Sequence, residues 1–272
     1  MAFNSPLGDY LRARRAATQP EDVGLVRMPG RRVEGLRREE VAELAGVSSD
    51  YYLRLEQGRD RQPSFQVLQA IARALKLDAS AVDYMLRLTH VDTGVGRSDD
   101  MEIAADVVSG LDEMVAQWPF PAYVTNRNLR ILSSNESARQ LVPEMWNPGG
   151  SLIVAIFGDA WRRIDQHWEC NARRAVAALR FASDPRDSAL RDLVGLLSMR
   201  DADFRRIWSA HEAAPLGACR LQLNLGGEER FFDQRTLVMP DAEGSMVTVL
   251  REAESSGERQ EWTQDGEFEG AA

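Results

Sequence analysis

Residues 36–77, LRREEVAELAGVSSDYYLRLEQGRDRQPSFQVLQAIARALKL, constrain the fold more than any other part of the chain. Leu36, Val41, Leu44 and Ala45 fall on one helical face, Gly46 interrupts them, and a second apolar-periodic run begins at Val47. The spacing predicts a helix, a tight turn and another helix. Such a turn needs a residue that adopts positive φ without steric cost, which Gly46 supplies; Ser48 then offers an oxygen to the unpaired amides of the next helix. With Tyr52 and Leu55 facing inward beside Val47, the outer face of that helix is left with Ser49, Asp50, Tyr51 and Arg54. Two helices joined this way present the N-terminal side chains of the second to base edges in a DNA major groove.

The exposed residues divide by what each can reach. Arg54 is expected at a guanine edge, with a phosphate as its competing partner. Ser48, Ser49 and Tyr51 flank it. Asp50 has the chemistry to accept from a cytosine amino group, but an acid in the first turn serves the helix dipole equally well, and that is the stronger reading. Arg38, before this pair of helices has turned, and Arg59 and Arg61, just beyond it, are expected to hold phosphates and fix the register.

Around this core the chain supplies three more helices. The first is expected over Leu7–Thr18 with Leu7, Tyr10 and Leu11 inward. The connection Gln19–Glu34 holds Pro20, Pro29, Gly24 and Gly30 and cannot continue it; its arginines read either as a solvated loop or as an arm on the DNA backbone. A fourth helix is expected from Ser64 to Leu75, and a fifth from Ser80 to Leu88 with Val82, Met85, Leu86 and Leu88 inward.

A net charge of −9 is unusual for a nucleic-acid binder, and its distribution resolves the difficulty. Residues 1–90 hold fourteen Arg or Lys against twelve Asp or Glu, so the acidic excess belongs to the remainder. No apolar run approaches 18 residues, and the N-terminus has no apolar signal core, which predicts a cytoplasmic protein without a membrane span. Cys170 and Cys219 stand far apart, outside any CxxC, and read as buried thiols rather than a zinc site, a disulfide or a redox switch.

Residues 91–100, VDTGVGRSDD, read as a linker between residues 1–90 and a second domain over 101–251, with 252–272 as a disordered acidic tail of seven acidic residues and one basic. Past the linker, Ile103, Val107, Leu111, Met114, Val115 and Trp118 mark an amphipathic helix that ends at Pro119. Its stripe suits packing on its own domain or on a second copy. The period then changes. Ala122–Thr125 and Leu129–Leu132 read as two strands about the turn 126–128, followed by a capped helix in SNESARQLV. Helices are expected between 160 and 211, broken at Asp184-Pro185 and at Met199-Arg200. Three strands close the domain: Cys219–Leu225 with strict alternation, Phe231–Val238 and Met246–Leu250. Two strands, helices and three strands are the order of a PAS-like sensor domain, an antiparallel sheet with helices across it and a pocket between. The fold class is therefore α+β: an all-α five-helix domain and a PAS-like domain.

Two resemblances support these readings. The turn Gly46, the pair Glu56 and Gly58 at the helix end and the Pro63-Ser64 start of the fourth helix resemble the phage-repressor, or XRE, type of helix-turn-helix domain. GLRREEVAELAGVSSDYYLRLEQGR, with WPFPAYVTNRNLRILSSNESARQLV, LRDLVGLLSMRDADFRRIWSAHEA and LQLNLGGEERFFDQRTLVMPDAEGS, is similar to the MmyB-like regulators of actinobacteria. After His211 the chain reads EAAPLGACRLQLNL, where that family commonly has another His and Pro. The resemblance implies a repressor or activator that binds a promoter operator, expected to be palindromic, as a homodimer. It also implies a small apolar effector in the PAS-like half, a fatty acid in at least one relative. Asn135, Arg180, Arg205, Trp208 and His211 lie in the most similar segments and are expected at the effector pocket, where an Arg or His at the mouth would suit a carboxylate.

Catalysis has little to stand on. His90, His167 and His211 are scattered, and the sequence holds no nucleophile–base pair, phosphate-cradling glycine loop or paired carboxylate at motif spacing. No cofactor or metal is expected. Two other classes remain to be weighed: a constitutive DNA-binding dimer, and a haem or flavin sensor.

Overall fold

The computed structural model describes residues 5–27, 31, 33–60, 62–90, 105–143, 145–239, 242 and 244–253, which fall into two compact units. The N-terminal unit is helical. Helix α1 (Pro6–Ala17) is capped by the Ser5 hydroxyl, which accepts from the Gly8 amide at 2.9 Å. After a 3₁₀ turn at Pro20–Val23 come α2 (Arg38–Ala45), α3 (Ser49–Glu56), α4 (Phe65–Ala74) and α5 (Ala79–His90). Leu11, Leu36, Tyr52, Leu55, Ile71 and Met85 are fully buried and form its centre.

Glycine is required where α1 crosses the end of α3. A Cβ on Gly8 would lie 2.4 Å from the Glu56 carbonyl oxygen, so any side chain there would push the helices apart. One expected core position differs from the structure, and one core residue was not among those expected. Leu44 is 40% exposed, because the face that meets α4 is carried by Val41, Ala42 and Ala45. Tyr84 instead is buried, its ring edge-on to Tyr10 at 5.1 Å.

The C-terminal unit is built on an antiparallel sheet of order β2-β1-β5-β4-β3. Its strands are β1 (Ala122–Thr125), β2 (Ile131–Ser134), β3 (Cys219–Leu225), β4 (Glu228–Met239) and β5 (Ser245–Ala253). Helix α6 (Ala105–Ala116) packs Leu111 and Val115 against Ala122, Val124 and Val247 on one face. The opposite face carries α7 (Glu136–Leu141), α8 (Leu152–Ile156), α9 (Asp159–Ile164), α10 (Trp168–Ala182), α11 (Ser188–Arg200) and α12 (Ala202–Ser209), whose apolar side chains meet Tyr123, Leu221, Phe232 and Leu250. The sequence order read as PAS-like is the order observed.

Several boundaries move, each for a local reason. Strand β2 starts at Ile131 rather than Leu129, because the Asn126 side-chain oxygen accepts from the amides of Asn128 and Arg130 and Leu129 takes φ 56°. Helices α8 and α9 are too short for periodicity to show. Arg200 is helical, and the break falls at Asp201, whose carboxylate accepts from the Phe204 amide at 2.8 Å. Pairing with β4 carries β5 through Glu252 and Ala253, residues read as tail from sequence. The linker 91–100 and the tail beyond Ala253 lie outside the described residues.

Candidate DNA interface and effector cavity

In the N-terminal unit Gly46 caps α2 with φ 66°, and Ser48 caps α3 by accepting from the Tyr51 amide at 3.1 Å. This turn leaves Ser49 and Asp50 exposed and Tyr51 and Arg54 partly so, on the face opposite Tyr52 and Leu55. Arg54 pairs with Asp50 one turn earlier and lies over the Tyr51 ring, 5.6 Å from its centroid. The pairing gives Asp50 a third task beside the two weighed from sequence: it orients the Arg54 fork. Arg59 is exposed just past α3. Arg61 lies outside the described residues.

Behind this face sits a buried ion network. Glu56, the last residue of α3, is 1% exposed and accepts from Arg15 Nε at 2.6 Å and Arg38 Nε at 2.7 Å. Burial opposes its charge, but the two guanidinium hydrogen bonds hold its carboxyl below the ordinary range. Arg15 also donates to the Leu36 carbonyl at 2.9 Å, which ties α1, the start of α2 and α3 together. Arg38, expected on phosphate, therefore gives one nitrogen to Glu56 while its side chain stays 45% exposed. Of the arm arginines, Arg31 is 5% exposed and forks onto Glu40 and Arg27 pairs with Glu21, while Arg32 lies outside the described residues.

In the C-terminal unit a cavity of about 40 Å³ lies between the sheet and the helices. Most of its wall is apolar, with Met145, Trp146, Leu152, Ile156, Trp161 and Leu216 among the lining residues, and the same wall includes Asn171, Arg174, Cys219 and Gln234. Arg174 donates to the carbonyls of Gly217 at 3.2 Å and Ala218 at 3.1 Å. Burial pushes the Cys219 thiol up, which keeps it protonated, whereas Cys170, expected to be buried as well, is exposed in the first turn of α10. Beside the cavity Asp165, 4% exposed, accepts from the Trp161 indole N–H, Asn171 and the His167 amide; burial outweighs these bonds and raises its carboxyl.

None of the five residues expected at the pocket lines this cavity. Asn135 is fully buried as the cap of α7: its oxygen accepts from Ala122 and Ala138 and its amide donates to the carbonyls of Val115, Trp118 and Phe120. Arg180 donates to the carbonyls of Trp208 at 2.6 Å and Glu212 at 3.1 Å and lies 3.8 Å over the Trp208 ring, so these two meet each other instead of the cavity. Arg205 is on the surface and donates to the Ser198 carbonyl. His211 follows α12 with φ 52°. The residue that does bring a guanidinium to the cavity, Arg174, had one usable sequence signal: with Asn171 three residues earlier it lies on the α10 face that also carries Ala175 and Ala178.

Among the described residues no helix is long and apolar enough to cross a membrane, and no three His, Cys, Asp or Glu converge as metal ligands. A helix-turn-helix pair joined to a sheet domain with an internal cavity defines a class, the DNA-binding transcription regulators with a ligand-binding domain. Two family models match: a helix-turn-helix domain over residues 6–85, and the MmyB-like transcription regulator ligand binding domain over residues 107–262. The chain belongs to this MmyB-like family of transcription regulators. Among curated proteins none matches it.

Proposed function

We propose that this regulator binds a palindromic promoter operator sequence-specifically as a homodimer and that an apolar, fatty-acid-like effector in the C-terminal cavity governs the binding. Arg54, braced by Asp50, reads a guanine edge. Ser48, Ser49 and Tyr51 border that contact, and Arg38, Arg59 and Arg61 hold phosphates. The observation that carries the DNA reading is the outer face of α3, where Ser49, Asp50 and Arg54 stand clear of a fully packed Tyr52 and Leu55.

The effector reading rests on a mostly apolar cavity with a guanidinium in its wall. Its present volume of about 40 Å³ holds a few waters, whereas effector sites run to roughly 300 Å³ or more, so an effector must open it. That small volume also favours a second reading, in which the C-terminal unit only joins two copies. Titration of the purified chain into fluorescent fragments of its own upstream region and into random duplexes, at moderate salt, tests the first reading. Preference for the upstream fragment is expected; equal affinity for both overturns it. Native mass spectrometry of protein taken directly from cells separates the effector and dimer-only readings, through a co-purifying acyl mass on the dimer in the first case and a bare dimer in the second.

A further inference from the structure

The cavity contains a donor that the folded chain leaves unused. Trp146 is 1% exposed, stacks on Tyr123 at 4.4 Å and lines the cavity, and its buried indole N–H has no acceptor among the described residues. A buried donor without an acceptor has lost its water and gained nothing in return. A ligand oxygen in the cavity would remove that cost.

The second donor, the Arg174 guanidinium, is engaged by backbone carbonyls. Residues 212–218 form a strap without regular structure between α12 and β3, and Leu216 of the strap closes part of the cavity. The start of the strap is fixed to α10 by Arg173 on the Glu212 carboxylate at 2.6 Å, Arg180 on the Glu212 carbonyl and the Ala214 amide on the Ala177 carbonyl. Its end is held by Arg174, through the carbonyls of Gly217 and Ala218. A carboxylate is the stronger acceptor, since charge-assisted hydrogen bonds are about twice as strong as those to neutral carbonyls.

We propose that Arg174 is both latch and ligand anchor: a carboxylate head group takes its guanidinium from Gly217 and Ala218, accepts a second hydrogen bond from the Trp146 indole, and so frees the strap end and Leu216. This rests on the effector reading above and adds to it the head-group chemistry and the moving part. It also answers the volume problem, because withdrawal of Leu216 removes part of the cavity wall.

The test uses the full chain with two probes of equal chain length, dodecanoate and 1-dodecanol, at pH 8. Isothermal titration is expected to show dodecanoate bound about tenfold more tightly. Arg174→Gln removes that preference, Trp146→Phe weakens dodecanoate about threefold, and Arg205→Ala changes the affinity of neither probe. Hydrogen exchange of amides 216–218 rises when dodecanoate binds and is already fast in Arg174→Gln without ligand. Equal binding of the two probes to the unaltered protein, a comparison that needs no variant, overturns the head-group assignment while leaving an apolar effector standing. Tight dodecanoate binding with unchanged strap exchange overturns the latch. Failure of both probes to bind overturns this proposal together with the effector reading.

Discussion

Glu56 in the N-terminal unit and Asp165 in the C-terminal unit are both almost fully buried carboxylates, and their surroundings push them in opposite directions. Glu56 is met by two guanidinium groups from α1 and α2, and stays charged against the cost of burial. Asp165 is met by an indole, an amide side chain and a backbone amide, all neutral, and burial prevails. In the proposed function the N-terminal unit works from its outer face, beneath which the Glu56 network clamps three helices, whereas the C-terminal unit takes its effector inside, beside polar groups that exchange partners.

The comparison can be broken most directly at Glu56. Glu56→Ala leaves Arg15 without its buried partner, and a loss of about 3–5 kcal/mol from the N-terminal unit is expected in urea unfolding followed by helical circular dichroism. An effect below 1 kcal/mol would remove the network from the argument. The same network sets a pH signature. Because the folded Glu56 carboxyl lies below its unfolded value of 4.5, its contribution is complete above that value and is lost as pH falls through the lower folded one. Acid unfolding of the N-terminal unit is expected to steepen there, and Glu56→Gln to flatten it.

Smaller effects separate base reading from phosphate holding on the outer face. Arg54→Ala is expected to reduce discrimination between operator and random duplex by about 1–3 kcal/mol with little change in stability. Arg59→Ala is expected to weaken every duplex alike and to lower the salt slope by about 1. A uniform loss from Arg54→Ala would exchange the two roles. Smallest of all is Asp165→Asn, expected to change stability by no more than about 1 kcal/mol at pH 7, since it removes a charge that burial opposes and keeps one acceptor oxygen. The sign is opposite to that of Glu56. With a raised folded value, Asp165 favours the fold at low pH and loses that support as pH rises through the ordinary Asp range, and the Asn variant is expected to lack this decline.

Legibility from sequence followed the range of the interactions. Gly46, Ser48 and the outward set from Ser49 to Arg54 were readable because cap, turn and helix face are fixed within a few residues. Leu44 was misplaced for the complementary reason: its period matches the core face, but the width of that face is set by α4. The order of strands and helices along the chain followed from alternation and change of period, while the start of β2 was lost to the Asn126 side chain, a competitor that strand periodicity ignores.

The sequence by itself determined the two-unit plan, the recognition helix with its caps, and the order of strands and helices around the second core, since all of these arise from short-range periodicity and turn chemistry. Tertiary structure alone decided that Glu56 would be joined to Arg15, 41 residues away, that Asn135 and Arg180 would be consumed by backbone groups, and that Arg174 and Trp146 would face one cavity. Those outcomes depend on which distant polar groups are left unpaired once the apolar surfaces have met, and no local spacing along the chain encodes that.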